Sequence, residues 1–211
     1  MSALAKLCIS QGIFVSGTDK VESNITQELQ HLGATIFIGH KKNNVTDPDL
    51  VVYTCAVGKD NIELLEAQKK GILLLERAEF LGEITKSYKN VVAISGSHGK
   101  TTVASMVASI FEQAKLNPTV LIGGETSFGN LKIGGDNYLI VEACEYQEHF
   151  LKLKHDVGVV LNIDYDHPDY FKSDFEYQNC FKKFANLSKE INIVNENYKM
   201  FLDNKNLITY G

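Results

Sequence analysis

The sequence lacks several features that mark specialised classes of protein. No run of apolar residues approaches the roughly 18 residues that a membrane-spanning helix needs. The N-terminal stretch "MSALAKLCISQG" lacks the basic start and the long apolar part of a secretory signal peptide. The formal net charge is −5, so no broad basic surface is expected to attract nucleic acid or anionic lipid. We therefore expect a soluble, cytoplasmic protein that binds neither nucleic acid nor membranes.

Paired cysteines are also missing from the sequence pattern. The 4 cysteines, Cys8, Cys55, Cys144 and Cys180, form no C-x-x-C motif and have no spacing typical of a metal site. Buried, reduced thiols in a cytosolic protein are the expected state of these residues.

What the sequence does contain is a regular alternation of short apolar segments and helical patterns. This alternation predicts an α/β fold with parallel sheets flanked by helices. The predicted strands are 13–16, 34–38, 50–56, 72–76, 91–95, 118–123, 138–143 and 156–163, and the predicted helices are 2–11, 23–32, 60–70, 77–86, 100–115 and 174–186. Ser23 and Asp60 are the expected N-caps of two of these helices. The polar stretch "KSYKN" predicts a domain boundary near residue 88, and a final βα-like piece spans 191–211.

The first half of the chain opens with a helix, whereas a Rossmann-like dinucleotide fold opens with a strand and a Gly-rich turn. That opening strand is normally central, so its loss would leave a slot in the sheet with unpaired backbone groups. Two interpretations stay open at this point: either the strand order differs, or this half is an incomplete Rossmann-like domain.

The stretch "VVAISGSHGKTTVASMVASIF" carries the strongest chemical signal. Gly96 and Gly99 allow a tight turn in which successive N–H groups point at phosphate oxygens. Lys100 can contribute a positive charge, and the hydroxyl of Thr101 can ligate Mg²⁺. The predicted helix directs the positive end of its dipole at the same anion. The common phosphate loop has a glycine where this sequence has Ile94, so the pattern is a shorter one.

Two further segments place polar residues at the ends of predicted strands. "YLIVEACEYQEHF" places Glu142 at a strand end, and "VGVVLNIDYDHPDYF" places there Asn162, Asp164, Asp166, His167 and Asp169. Ligands of parallel sheets bind at the carboxyl edge, and carboxylates are suitable Mg²⁺ ligands. Taken singly, a solvated glutamate and a structural histidine are the alternatives. Together with the glycine loop, the three strand ends predict a site for Mg²⁺-ATP chemistry.

The same residues resemble a known family. "GSHGKTT" resembles the ATP loop of the Mur ligases, which lacks the first glycine of the common loop. "EACEYQEHFL" and "NIDYDHPDYF" are similar to segments of the family members that join L-alanine to UDP-N-acetylmuramate, in the form typical of Gram-positive bacteria. "MSALAKLCISQG" followed by "VSGTD" resembles the stretch after the N-terminal Gly-rich turn of those enzymes. The resemblance covers essentially the whole chain.

The resemblance implies an ATP-dependent ligase of peptidoglycan precursor synthesis. In such an enzyme ATP phosphorylates the lactyl carboxylate of UDP-N-acetylmuramate, and the amine of L-alanine attacks the acyl phosphate to form an amide. ATP and Mg²⁺ are the implied cofactors, and Lys100, Glu142 and His167 the implied catalytic residues. The implied ATP contacts are Gly96, Ser97, His98, Gly99, Lys100, Thr101 and Thr102, the implied Mg²⁺ ligands are Thr101, Glu142 and His167, and the implied substrate contacts are Thr18, Asp19, Glu145 and His149.

The resemblance also implies how the chain is organised. Residues 1–88 would be a Rossmann-like UDP-sugar-binding domain without its first strand and Gly-rich turn, and 89–211 the N-terminal part of the central ATP-binding domain. The C-terminal domain that receives the amino acid would be absent, or carried by a second polypeptide, and we expect this chain alone not to catalyse ligation. The alternatives are a non-catalytic Mg²⁺-ATP-binding module derived from such a ligase, and a related Mur-type ligase that acts on another acid or peptide.

Overall fold

A computed structural model of the chain describes residues 1–124, 126, 128–201 and 206–211. By their internal contacts these residues group into two units, Met1–Phe80 and Leu81–Gly211. The division falls inside the helix Arg77–Thr85, and the domain boundary expected near residue 88 stays a prediction. The predicted final piece at 191–211 includes residues 202–205, which lie outside the described part.

The first unit alternates helices with strands of four residues. Its elements are α1 Ser2–Ser10, β1 Ser16–Asp19, α2 Asn24–His31, β2 Thr35–Ile38, a 3₁₀ turn Lys42–Asn44, β3 Leu50–Tyr53, α3 Ile62–Lys69, β4 Leu73–Glu76 and the start of α4 Arg77–Thr85. β1 pairs in parallel with β2, and β3 pairs in parallel with β4, as two separate two-stranded sheets. The predicted helices and most predicted strands of this half are present, with shifted ends.

Local chemistry explains where these helices start. Ser23 caps α2 as predicted: its hydroxyl accepts the N–H of Thr26 at 3.3 Å, and the Thr26 hydroxyl accepts the N–H of Ser23 at 2.8 Å. The prediction of Asp60 as the cap of α3 is wrong. The cap is Asn61, whose side-chain oxygen accepts the N–H groups of Glu63 and Leu64 at 2.9 and 3.3 Å. Asn61 takes this role because it is the residue immediately before the first helical turn.

The predicted strand at 13–16 is also wrong, because β1 starts only at Ser16. The N–H of Ile13 bonds to the carbonyl of Cys8 at 3.0 Å, so this residue still belongs to the turn that ends α1. Phe14 is fully exposed and contributes nothing to a core. The apolar residues of this segment therefore do not form the predicted strand.

In the second unit, the described residues form one sheet of seven strands. Its strands are β5 Asn90–Ser95, β6 Thr119–Leu121, β7 Leu131–Lys132, β8 Tyr138–Glu142, β9 Val157–Val160, β10 Ile191–Asn195 and β11 Leu207–Tyr210. The order is β11-β10-β9-β5-β8-β6-β7, parallel throughout except for the antiparallel pair β6–β7. Two helices, α5 Lys100–Gln113 and α6 Asp174–Asn186, and two 3₁₀ segments, Tyr146–Lys152 and Glu196–Phe201, complete the unit.

The central strand β5 determines where a ligand can bind. It lies between β8 and β9, and the chain leaves it through α5 towards β6, on the far side of β8. A crevice outside the carboxyl ends of the strands is expected where connections diverge in this way. Ile94 is fully buried in the core with Ala104, Val120 and Ile140, which explains why an apolar residue stands where the common loop has glycine.

Two sequence expectations concern the surface. Within the described ranges, no helix is long and apolar enough to cross a membrane. All four cysteines are free thiols, but the expectation that they are buried holds only for Cys8 and Cys180, because Cys55 and Cys144 are exposed. Both exposed cysteines lie just beyond strand ends, where the chain has left the core.

Candidate nucleotide-binding site

The loop between β5 and α5 depends on its two glycines. Gly96 has φ +143° and Gly99 has φ +82°, a region that side chains other than glycine rarely adopt. A Cβ at Gly96 would lie 2.9 Å from Leu161 Cβ and 3.2 Å from the backbone nitrogen of Asn162. The loop therefore packs directly against the segment that follows β9, with no space for a side chain at Gly96.

Two residues of the loop form hydrogen bonds with the segment that follows β9. The N–H of Ser97 donates to the Asn162 carbonyl at 3.1 Å, and the N–H of His98 donates to the Asn162 side-chain oxygen at 2.8 Å. The Ser97 hydroxyl accepts the N–H of Asp164 at 2.9 Å and lies 2.8 Å from the hydroxyl of Tyr177. Ser97 and His98 thus use their backbone donors within the protein. No side chain caps α5 in the described part of the chain, so the N–H groups of its first turn remain for an anion.

Lys100, the first residue of α5, folds back over the loop. Its ammonium group donates to the carbonyls of Gly96 at 2.6 Å and Ser97 at 3.3 Å, and to Glu145 Oε2 at 2.9 Å. The Glu145 side chain is 2% exposed, so this ion pair is buried on the carboxylate side. The lysine that the sequence assigned to the phosphates is therefore held inside the loop by a carboxylate.

His167, predicted as a metal ligand, lies on the other side of the same carboxylate. Its Nε2 is 3.4 Å from Glu145 Oε1, and its ring lies against Tyr146 with the centroids 4.7 Å apart. Its backbone has φ +58°, and its N–H donates to Asp166 Oδ1 at 2.7 Å. Sequence reasoning missed the link from Lys100 through Glu145 to His167, because the turn after β8 creates it and no spacing in the sequence encodes it.

Thr101 and Glu142 form a second pair of polar groups at the start of α5. The Thr101 hydroxyl donates to Glu142 Oε2 at 3.0 Å, and the N–H of Gly123 donates to the same oxygen at 2.8 Å. Adjacent hydroxyl and carboxylate oxygens are the hard donors that Mg²⁺ prefers, so this pair fits the implied ion. No group of three His, Cys, Asp or Glu side chains in the described ranges is placed to hold a metal ion. His167 as a third ligand stays a prediction.

The remaining predicted residues are more scattered. Thr102 is exposed next to the loop, and His149 is half-buried with its ring edge-on to Tyr146. Thr18 and Asp19 end β1 in the first unit, where Asp19 is exposed. The structure thus brings the loop, Thr101, Glu142, Glu145 and His167 together in the second unit, while Thr18 and Asp19 belong to the first.

Thr18 takes part in a polar cluster that the sequence did not reveal. Its hydroxyl donates to Glu63 Oε1 at 2.9 Å, the Asn44 amide donates to the same oxygen at 2.7 Å, and His40 Nδ1 lies 2.9 Å from Glu63 Oε2. Burial raises the pKa of Glu63, but the hydrogen bonds from His40, Asn44, Lys41 and Thr18 outweigh it and leave the pKa below its ordinary value. Glu63 is therefore a fixed anion beside the strand end.

A glycine loop between the central strand and a helix, with a carboxylate at the next strand end, defines the class of α/β proteins with a phosphate-binding loop. Family models narrow this class. Residues 94–211 match the model described as the Mur ligase middle domain, and residues 1–89 match the model described as the Mur ligase family, catalytic domain. The chain belongs to the Mur ligase family.

Individual relatives agree with this assignment. The chain is 50% identical over 187 residues to UDP-N-acetylmuramate–L-alanine ligase of Alkaliphilus metalliredigens, which covers 88% of this chain and 41% of the relative. It is 44% identical over 220 residues to the ligase of the same name from Clostridium botulinum (strain Loch Maree / Type A3), covering 100% of this chain and 48% of the relative. The chain thus spans about half the length of the curated relatives it matches.

Solved structures show the same fold. The crystal structure of UDP-N-acetylmuramate-alanine ligase from Thermotoga maritima matches with a TM-score of 0.85 at 27% identity, covering 100% of this chain and 50% of that one. The structure of UDP-N-acetylmuramate:L-alanyl-gamma-D-glutamyl-meso-diaminopimelate ligase from Neisseria meningitides matches with a TM-score of 0.88 at 22% identity, covering 100% and 74%. The predicted α/β fold with parallel sheets flanked by helices is therefore confirmed.

Proposed function

We propose that this chain forms the Mg²⁺-ATP-binding part of a ligase that joins L-alanine to UDP-N-acetylmuramate. The observation that carries the proposal is the loop Gly96–Gly99, which holds the Lys100 ammonium over its own backbone and leads into Thr101, whose hydroxyl bonds to the carboxylate of Glu142. The name shared by the relatives at 44% and 50% identity supports the choice of acid and amino acid. A cytoplasmic location is part of the proposal.

The proposed reaction requires two negatively charged groups, the phosphates of ATP and the carboxylate of the sugar, to approach each other. Bound Mg²⁺-ATP supplies the phosphoryl group that converts the carboxylate of the sugar into an acyl phosphate, from which the amine of L-alanine then displaces phosphate to leave an amide. Lys100 neutralises negative charge on the transferring group, and the first turn of α5 holds the phosphates through its N–H groups. Thr101 and Glu142 provide oxygen ligands for the ion, with His167 as a proposed further ligand.

The other predicted site residues are proposed substrate contacts. We assign Thr18 and Asp19 of the UDP-sugar-binding domain 1–88, and Glu145 and His149 of the ATP-binding domain 89–211, to the neighbourhood of the substrate. The Glu63 cluster around Thr18 keeps a fixed charge at this strand end. Contacts to the incoming amino acid would come from a region corresponding to the remaining half of the relatives, in the same or in a second polypeptide.

Replacing Lys100 with alanine is expected to weaken binding of a non-hydrolysable ATP analogue with Mg²⁺ by roughly thirtyfold, since a hydrogen bond to a charged group contributes about 2 kcal/mol. Isothermal titration calorimetry measures this directly. Lys132→Ala is the matched control, because Lys132 forms a surface ion pair with Glu112 and is expected to leave binding unchanged. Absence of binding by the unmodified chain at millimolar nucleotide, or equal binding by Lys100→Ala, would contradict the proposal.

Replacing Glu142 with glutamine tests whether this residue is a ligand of Mg²⁺. We expect Mg²⁺ to strengthen binding of the analogue to the unmodified chain, and this enhancement to fall about tenfold in Glu142→Gln, because a neutral amide is a weaker ligand for a hard cation. Titrations with Mg²⁺ and with EDTA separate this effect from a general loss of affinity. Glu112→Gln, which removes a surface carboxylate paired with Lys132, is the control. An undiminished Mg²⁺ effect in Glu142→Gln would rule out this ligand.

A further inference from the structure

Glu145 is an anion placed where a phosphate-binding loop is expected to attract one. The residue is 1% exposed, and its carboxylate lies 2.9 Å from Lys100 Nζ and 3.4 Å from His167 Nε2. A carboxylate is rarely buried to this degree unless charged or hydrogen-bonding partners compensate for its lost hydration. Here the compensating partner is the loop lysine itself.

The lysine has no donor to spare for a further ligand. An ammonium group has three N–H donors, and those of Lys100 are directed at the carbonyls of Gly96 and Ser97 and at the carboxylate of Glu145. The two carbonyls belong to the loop backbone, which the glycine turn and the contacts to Asn162 hold in place. A phosphate oxygen that bonds to Lys100 must therefore take the donor that Glu145 holds.

We propose that Glu145 is an internal placeholder for phosphate, which pairs with Lys100 and releases it when the phosphate of a nucleotide binds. The inference rests on the proposed function, because it needs the loop to bind nucleotide phosphates. The placeholder keeps the half-buried lysine paired in the absence of nucleotide, but it competes with every incoming phosphate group.

The backbone after Glu145 is consistent with a residue that changes position. Gln147 and Glu148 have φ +52° and φ +56°, a left-handed conformation that costs roughly 1–2 kcal/mol per residue with a side chain. The ion pair of Glu145 with Lys100 and that of Glu148 with Lys183 fix this turn on both sides. Displacement of Glu145 by phosphate would remove one of these two restraints.

The test is the affinity of Glu145→Gln for the ATP analogue with Mg²⁺, measured by calorimetry. The substitution keeps the size of the side chain and removes the charge that competes for Lys100, so we expect binding about tenfold tighter than in the unmodified chain. Glu112→Gln is the control: it removes the charge of a surface carboxylate that pairs with Lys132, away from the turn after Glu145, and is expected to leave affinity unchanged.

A second pair of variants separates a placeholder from simple charge repulsion. If Glu145 competes for Lys100, the gain from Glu145→Gln disappears when Lys100 is already alanine; if the carboxylate only repels phosphate, the gain persists. Persistence of the gain in the Lys100→Ala background would therefore overturn the proposal. Equal or weaker binding by Glu145→Gln alone would overturn it as well, while leaving nucleotide binding by the unmodified chain intact.

Two further outcomes of the experiment also have a defined interpretation. If neither the unmodified chain nor Glu145→Gln binds the analogue, the proposed function itself fails and the placeholder with it. If thermal unfolding shows that Glu145→Gln does not fold, Glu145→Asp takes its place, because a shorter carboxylate reaches Lys100 less well. Binding tighter than in the unmodified chain then supports the proposal, and equal or weaker binding contradicts it.

Discussion

Gly96→Ala is expected to lower the free energy of unfolding of the second unit by about 4 kcal/mol and to abolish nucleotide binding. Two costs add at this position. An L-residue is strained at φ +143°, and its Cβ would lie 2.9 Å from Leu161 Cβ and 3.2 Å from the backbone nitrogen of Asn162. Because the second contact is with backbone, a side-chain rotation cannot relieve it. The strand end must move, and with it the segment that holds Ser97 and His98.

Gly129→Ala is the control that separates these two costs. Gly129 also has a positive φ, +77°, but a Cβ there would meet no atom of the described residues within 4 Å. We expect a loss of only about 1 kcal/mol, from backbone strain alone, and unchanged nucleotide binding. Urea unfolding, followed by amide exchange in β5 and β9, measures both variants. Equal losses for Gly96→Ala and Gly129→Ala would show that the close approach to Leu161 is not what the glycine provides.

Much of the site could be predicted because its chemistry is local. The order of strand, glycines, Lys100 and Thr101 is contiguous in sequence, and the helix that follows is fixed by its own pattern. The helix at 174–186 begins and ends as predicted, and its start is set by Ser173, which accepts the N–H of Glu176 at 3.2 Å. Glu142 could be placed at a strand end since four apolar residues precede it.

What could not be predicted depends on contacts between segments far apart in the sequence. The sequence places Asn162 among the candidate site residues at a strand end. In the fold, its side-chain oxygen accepts the N–H of His98, which is 64 residues away. The pairing of Glu145 with Lys100 likewise requires β8 to lie beside β5, and the sequence alone does not give that order. β7 has only two residues, too few for a period to appear. Tertiary pairing, and not local preference, decides each of these cases.

His155 leads to a second large effect, on the pH dependence of stability. The residue is fully buried, and its ring stacks on Phe184 with centroids 4.4 Å apart and an angle of 18°. Neither ring nitrogen makes a hydrogen bond of good geometry in the part of the chain that the structure describes, and the backbone of Leu153 and Phe184 offsets the effect of burial only in part. Burial therefore lowers the pKa of His155 to about 4, from an ordinary value of 6.5. Asp156 and Lys189, which pair with each other at 2.9 Å, act on it in opposite directions.

The sign of the effect follows from proton binding. Between pH 6.5 and 4 the unfolded chain binds a proton at His155 that the folded chain does not, so stability rises with pH across this window. The full contribution is present above pH 6.5, and about 3 kcal/mol is lost as the pH falls to 4. We expect His155→Leu, which removes the titrating ring and keeps an apolar side chain of similar size, to flatten this dependence.

The measurement is urea unfolding at several pH values between 7 and 4, with amide exchange in β9 and β10 reporting on the second unit. His31→Gln, at an exposed histidine of α2, is the control and should keep the dependence of the unmodified chain. Carboxylates that titrate in the same range act equally in all three proteins, so the difference between His155→Leu and the control isolates the buried ring. If the two curves of unfolding free energy against pH run parallel, protonation of His155 does not couple to folding. A polar group beside the buried ring would then have to stabilise its charged form.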